Sequence, residues 1–83
     1  MGRYDEAAVS LRRVVELKPD YAAAYRELGK ALEKAGHHEE AKSYFSKGRE
    51  LADRHGDGQT VKEIDVFLKR IGKKQGPQGE EQR

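Results

Sequence analysis

The sequence predicts an all-α protein built from stacked antiparallel helix pairs, and three observations support this prediction. Apolar residues recur at three- and four-residue steps, and no long stretch alternates apolar with polar residues. Glycine or proline separates the helical stretches at short intervals. A segment near the N-terminus also returns 34 positions later. The identical pairs are Gly2/Gly36, Glu6/Glu40, Ala7/Ala41, Glu16/Glu50 and Leu17/Leu51. A period of this length is typical of repeat proteins, whose units pack against their neighbours.

The first two predicted helices are separated by Pro19, which cannot continue a helix. The first helix covers Tyr4–Leu17. The second covers Tyr21–Ala35, with Asp20 as its expected N-cap. Each helix has one apolar face, which predicts that one side of it is buried. These faces consist of Ala7, Ala8, Leu11, Val14 and Val15 in the first helix and of Tyr25, Leu28, Leu32 and Ala35 in the second.

The third predicted helix covers Glu39–Arg54 and lies between two glycines that favour turns. Gly36 is suited to the left-handed conformation that closes a helix, and the short turn after it requires an antiparallel third helix. Gly56 ends the third helix in the same way. We expect its buried face to consist of Ala41, Phe45, Gly48, Leu51 and Ala52, with Tyr44 at the edge.

A fourth helix is predicted over residues 59–71, because Thr60 and Glu63 have the spacing of a capping box. Its apolar stripe consists of Val61, Ile64, Phe67, Leu68 and Ile71. Shifted by 36 positions, this helix aligns with the second one, but Asp65 then falls on Gly29 and the outer face is charged. We therefore expect a capping helix at the end of the stack. Residues 72–83 have no side chain suited to burial and are expected to form a disordered tail.

The order of side chains in the second and third helices resembles the tetratricopeptide repeat. The residues that carry this resemblance are Tyr25, Leu28, Gly29, Leu32, Ala41 and Phe45. The resemblance implies a fragment of a right-handed superhelix over residues 1–71, with a half repeat at 2–19, a full repeat at 20–54 and the capping helix at 59–71. Gly29 and Ala41 should lie where helices approach most closely. Gly48 departs from the family pattern, which usually has alanine there, and Asp53 stands where a closing proline is usual.

Composition limits the classes of protein to which the chain can belong. With 83 residues, of which 39% are charged and 35% hydrophobic, the chain supports one small domain of marginal core size. It has no cysteine, so neither a disulfide nor a thiolate zinc site can stabilise it. No apolar run reaches membrane-spanning length, and the N-terminus lacks the apolar stretch of a signal peptide. We expect a cytoplasmic protein that does not enter a membrane.

The sequence contains no recognisable catalytic, cofactor or metal site. His37 and His38 are adjacent, so their side chains point apart and cannot chelate one metal ion as a pair four residues apart would. Neither a glycine-rich phosphate loop nor a nucleophile with a neighbouring base is present. We therefore expect a non-catalytic protein that binds no cofactor.

The family resemblance implies binding of a protein or peptide partner. In tetratricopeptide repeats, one face of the first helix of each repeat looks into a concave groove where partner peptides lie. On the second helix of this chain that face carries Ala23, Arg26, Lys30 and Lys34. Arg26 and Lys30 are then candidate contacts for an acidic peptide. The alternative is that these long cations only solubilise the helix.

Two further classes of function stay open. The half repeat at 2–19 leaves part of the surface around Ala8, Leu11 and Val15 without expected cover, which predicts self-association, for instance as a homodimer. Nucleic-acid binding is disfavoured, because the net charge is only +2 and the basic cluster around the end of the fourth predicted helix lacks interleaved stacking aromatics. That cluster consists of Lys69, Arg70, Lys73 and Lys74.

Overall fold

The structure is a computed structural model and describes residues 2–75, which form four α-helices. They are α1 (Gly2–Leu17), α2 (Ala22–Lys34), α3 (His38–Arg54) and α4 (Gly58–Gln75). Each helix packs against the next one along the chain, and α4 also reaches α2. The predicted all-α architecture of antiparallel helix pairs is confirmed, with α2 in contact with all three other helices.

The turns at each end of α3 follow one pattern. Gly36 and Gly56 have φ values of +90° and +75°, the left-handed conformation that glycine adopts without steric cost. Each glycine is followed by a residue whose N–H reaches back to the preceding helix, which completes a Schellman motif. The hydrogen bonds run from Gly36 to Glu33, from His37 to Leu32, from Gly56 to Asp53 and from Asp57 to Ala52. This shared geometry reverses the chain in the same way at both turns.

The N-terminal caps of α2 and α4 differ from the predicted ones. Tyr21, not Asp20, occupies the N-cap of α2 and makes no side-chain cap hydrogen bond, because the turn that joins Tyr21 N–H to Lys18 O sets the first helical residue at Ala22. The cap of α4 is Asp57, whose carboxylate accepts hydrogen bonds from the Thr60 N–H at 3.1 Å and the Thr60 hydroxyl at 2.7 Å. Thr60 is therefore the third residue of α4 and is buried.

The helix α4 extends one turn beyond its predicted end at residue 71. Ile71 is fully buried, and Gly72 continues the helix with no atom within 4 Å of the place where a Cβ would stand. Burial of Ile71 near the end of the helix anchors this last turn, so the helix runs to Gln75. The predicted tail at 72–83 thus begins too early, and its part from 76 to 83 lies outside the described residues.

One apolar core joins all four helices. Its largest fully buried side chains are Phe45, Leu28, Leu32, Leu51, Ile64 and Ile71. The Phe45 ring stacks on Phe67 at a centroid distance of 5.2 Å. The same ring lies so close to Gly29 that a Cβ there would be 2.6 Å from it. The predicted close approach at Gly29 is confirmed, Ala41 is fully buried, and the predicted core residue Leu68 is half-buried.

Tyr25 ties the start of α2 to the turn after α1. Its ring is buried, and its hydroxyl donates a hydrogen bond to the carbonyl of Pro19 at 3.0 Å. Burial raises the pKa of Tyr25 above its ordinary value, which keeps this donor protonated at neutral pH. Gly48 of α3 lies against the same residue, because a Cβ on Gly48 would be 2.9 Å from the Tyr25 Cβ. The departure from alanine at this position therefore has a steric reason.

We expect Gly29→Ala to destabilise the protein by about 1–3 kcal/mol, because the added methyl group would stand 2.6 Å from the ring of Phe45, which is fully buried and closely packed. Gly72→Ala is the matched control. It adds the same methyl group at an exposed helical position, where we expect it to stabilise by about 0.5–1 kcal/mol. Urea unfolding followed by circular dichroism measures both changes. Equal stability of the two variants would contradict the close contact at Gly29.

We expect the Asp57 cap to make the stability of the protein dependent on pH. The hydrogen bonds from Thr60 hold the pKa of Asp57 below its ordinary value of 3.8. A carboxyl whose pKa is lowered by folding stabilises the protein above its unfolded-state pKa, and this stabilisation is lost as pH falls through the folded-state pKa. Asp57→Ala should therefore unfold more easily than the parent at pH 7, and the difference should shrink below pH 3.8.

Asp57→Asn is the control for this measurement, because asparagine caps helices well and carries no titrating group. Urea unfolding of the three proteins is measured between pH 7 and pH 2. Acid should lower the free energy of unfolding less in each variant than in the parent. A parent and an alanine variant that differ by the same amount at every pH would show that the carboxylate charge is irrelevant to the cap.

Candidate functional site

A shallow apolar groove runs between α1 and α2 and has a volume of about 230 Å³. We call it the α1–α2 groove. It is lined by Tyr4, Ala7 and Leu11 from α1 and by Glu27, Lys30, Ala31 and Lys34 from α2. We refer to its apolar lining residues as the floor and to its two lysines as the rim. A neighbouring depression, lined in part by Val14 and Ala23, continues this surface along the same two helices.

A strip of paired charges lies beside the groove, between α2 and α4, and we call it the α2–α4 strip. Arg26 donates to Glu63 of α4 at 2.8 Å and to Glu27 at 3.1 Å. Lys30 lies 3.5 Å from Glu27 and 5.7 Å from the centroid of the Phe67 ring. Two of the predicted partner contacts are thus already engaged within the chain, and they connect α2 to α4.

The far end of the strip contains a buried carboxylate. The Glu33 side chain is only 3% exposed, and Arg70 donates to its two oxygens at 2.7 and 3.0 Å. The Arg70 guanidinium also lies 4.9 Å from the centroid of the Phe67 ring. The hydrogen bond to Glu33 raises the pKa of Arg70 above its ordinary value. This bidentate pair fixes the position of α4 along α2.

The predicted partner-binding residues lie along both surfaces. Lys30 and Lys34 line the α1–α2 groove, and Ala23 and Arg26 line the depression that continues it. Arg26 and Lys30 also belong to the α2–α4 strip, where Arg26 pairs with Glu63 of α4. Lys34 is exposed and, within the part of the chain that the structure describes, has no ion-pair partner.

Sequence reasoning missed several lining residues, namely Tyr4, Ala7, Glu27 and Ala31 of the groove and Glu63 and Phe67 of the strip. The 34-residue repeat could have indicated some of these residues. Ala7 and Leu11 are the counterparts of Ala41 and Phe45, which are both fully buried. Ala7 and Leu11 are themselves only partly buried, so they form a surface suited to binding.

The prediction that Ala8 and Val15 lack cover within the chain is wrong. They are 2% and 7% exposed and belong to the common core. The reason is that α1 turns these two residues inward, while Leu11 lies half-buried on the groove side. The exposed apolar side chains of α1 are instead Tyr4, Val9 and Leu17, the last two with 65% and 74% of their surface in solvent.

Other chemistry is sparse in the described part of the chain. His37 contacts Asp5 at 3.0 Å between its Nε2 and the carboxylate Oδ1, which joins the start of α3 to α1. No group of three or more residues that could hold a metal ion occurs within residues 2–75. None of the four helices in this range is long and apolar enough to cross a membrane.

Sequence comparison places these features in a known family. A family model described as TPR repeat matches residues 1–36, and one described as tetratricopeptide repeat matches residues 22–55. The TPR repeat-containing protein PA0015 of Pseudomonas aeruginosa is 40% identical over 70 residues, which cover 84% of this chain and 67% of that protein. The chain belongs to the tetratricopeptide repeat family.

A solved structure agrees with this assignment. The solution structure of protein BPP2914 from Bordetella parapertussis superposes with a TM-score of 0.84 and is 31% identical in sequence. The match covers 98% of this chain and 70% of that protein. It confirms the TPR-like helical fold. TPR repeats in general mediate protein–protein interaction, and the fold is typically a non-catalytic scaffold.

We expect Arg70→Met to destabilise the protein by about 1–3 kcal/mol, because it leaves the buried Glu33 carboxylate without its strongest donor. For a domain of this size each kcal/mol lowers the melting temperature by roughly 4–8 °C. Lys62→Met is the matched control, since Lys62 is an exposed cation on the same helix. Thermal unfolding followed by circular dichroism compares them. Identical melting of both variants would show that Glu33 does not depend on Arg70.

Proposed function

We propose that this TPR protein is a non-catalytic interaction module that binds a partner polypeptide across the α1–α2 groove and the adjoining α2–α4 strip. The observation that carries the proposal is the groove itself, an apolar floor with lysines at its rim. Concave apolar surfaces with a few well-placed polar groups are the usual binding sites of proteins. The general role of TPR repeats in protein–protein interaction supports the same conclusion.

The charged residues at this surface have structural roles that account for them without catalysis. Arg26 and Glu63 connect α2 to α4, and Arg70 neutralises the buried Glu33. A catalytic pair would instead need a nucleophile within hydrogen-bond reach of a base that another group orients. The TPR fold is typically non-catalytic, which supports a scaffold or adaptor role.

Self-association is a second candidate function, and the exposed apolar residues of α1 favour it. Tyr4, Val9 and Leu17 leave apolar surface in solvent, and such surface promotes association. A symmetric dimer through the groove, however, would bring the same patch of both copies together. That patch carries two lysines, Lys30 and Lys34, against one acid, Glu27, so each copy would present a net positive charge to the other. We therefore place a different partner first.

The proposal is tested by selecting binders from a library of random peptides and measuring their affinity for two variants of the protein. Tyr4→Gln with Leu11→Gln changes the groove floor. Val9→Gln with Leu17→Gln makes the same kind of change at exposed positions of α1 that do not line the groove. We expect the first variant to bind the selected peptides at least tenfold more weakly than the parent, and the control to bind them unchanged.

Circular dichroism melting of each variant ensures that a loss of binding does not reflect unfolding. Sedimentation velocity of the parent, with and without peptide, reports whether a second copy competes for the surface. Selected peptides that bind both variants as tightly as the parent would contradict the proposal, because the groove would then not be the binding surface.

A further inference from the structure

The repeat places two equivalent surfaces in this protein, one between α1 and α2 and one between α3 and α4. The second surface is covered by α2, which therefore shows how the first could be filled. With the shift of 34 positions, Ala7 and Leu11 of the α1–α2 groove correspond to Ala41 and Phe45 of α3. The latter two are fully buried, and Gly29 of α2 lies directly against the Phe45 ring. The floor of the α1–α2 groove is thus the counterpart of a surface that a helix covers elsewhere in this protein.

The α2 side of the groove corresponds to α4 in the same way. With the shift of 36 positions, Glu27, Ala31 and Lys34 of α2 correspond to Glu63, Phe67 and Arg70 of α4. In the filled groove α2 meets those three residues with Arg26, Lys30 and Glu33, respectively. All three counterparts on α2 line the open groove. Ala7 and Leu11 of the floor and Glu27, Ala31 and Lys34 of the wall therefore correspond to residues that already hold an amphipathic helix, namely α2.

We propose that the α1–α2 groove binds an amphipathic helix of a partner protein, parallel to α2, with an acidic side chain paired to Lys34. This inference rests on the proposed function and specifies its partner. The template for the acidic contact is the Glu33–Arg70 pair, with oxygen and nitrogen 2.7 Å apart. The parallel direction follows because Arg26 meets Glu63 while Glu33, seven residues later, meets Arg70, seven residues after Glu63.

The template also defines the rest of the partner's sequence pattern. A cation seven residues before the acid would meet Glu27, as Arg26 meets Glu63 at 2.8 Å. A small residue four positions before the acid would lie on Leu11, as Gly29 lies on Phe45. Apolar residues placed like Leu28 and Leu32 would face the floor. Such a helix is therefore recognised by shape and by two charges of opposite sign.

Charge and packing favour a different protein over a second copy of this chain. Docking of intact copies through the groove brings together two patches that each carry a net positive charge, from Lys30 and Lys34 against Glu27. Exchange of α2 between copies would remove Leu28 and Leu32 from the core, where both are buried, and would require the Gly36 turn to open. A partner helix needs neither change. Lys34, without an ion pair among the described residues, is the group that such a helix would engage.

The test uses a synthetic peptide with the sequence of residues 20–36 of this chain, acetylated and amidated, because α2 is the template. A second peptide carries lysine in place of Glu33. Fluorescence anisotropy measures the affinity of each labelled peptide for the full-length protein and for its Lys34→Glu variant. We expect the parent protein to bind the first peptide about tenfold more tightly than the second, and Lys34→Glu to reverse that preference. Lys47→Glu, an exposed change on α3, should leave the preference as in the parent.

The outcomes separate this inference from the proposed function. Equal affinity of both peptides for the parent would overturn the contact with Lys34. Failure of both peptides to bind, while peptides selected from the library still depend on Tyr4 and Leu11, would overturn the helical partner and leave the proposed function in place. A protein dimer in sedimentation velocity that excludes the peptide would assign the groove to a second copy and likewise overturn the inference.

Discussion

The contact of Gly29 with the Phe45 ring is the constraint on which the packing of this protein depends. Because Gly29 has no Cβ, the backbone of α2 lies directly against the ring, and Phe67 of α4 stacks on the same ring. One side chain of α3 therefore sets the spacing of three helices. Close packing of this kind tolerates little change in volume, so a single methyl group at Gly29 affects the whole arrangement.

The central position of α2 gives its two edges different roles. The edge toward α4 is closed by Arg26 with Glu63 and by Glu33 with Arg70. These pairs fix the position of α4, because a buried carboxylate is stable only where its donor reaches it. The edge toward α1 is only partly covered by α1, and its open part forms one wall of the groove. One edge of α2 is thus closed by ion pairs, and the other lines an open groove.

The two ends of the stack, α1 and α4, differ in the surface that they offer to a further helix. Asp65 takes the place on α4 that Gly29 takes on α2, and it accepts hydrogen bonds from Arg49 of α3, which lower its pKa. A charged side chain there prevents another helix from approaching α4 as closely as α3 approaches α2. The α1 side carries no such obstacle, because Ala7 and Leu11 form an apolar floor. Docking of a further helix is therefore favoured at the α1 end.

The sequence by itself determined the helices, the turns at Gly36 and Gly56 and most of the core, because apolar spacing and glycine act locally. It missed the Asp57 cap, since turn geometry selects one of several polar residues. Which face of α1 is covered, and which cations of α2 are already paired, was decided only by the tertiary structure. Both depend on the direction in which neighbouring helices lie. Periodicity identifies an apolar face, but only packing determines which part of that face stays open for a partner.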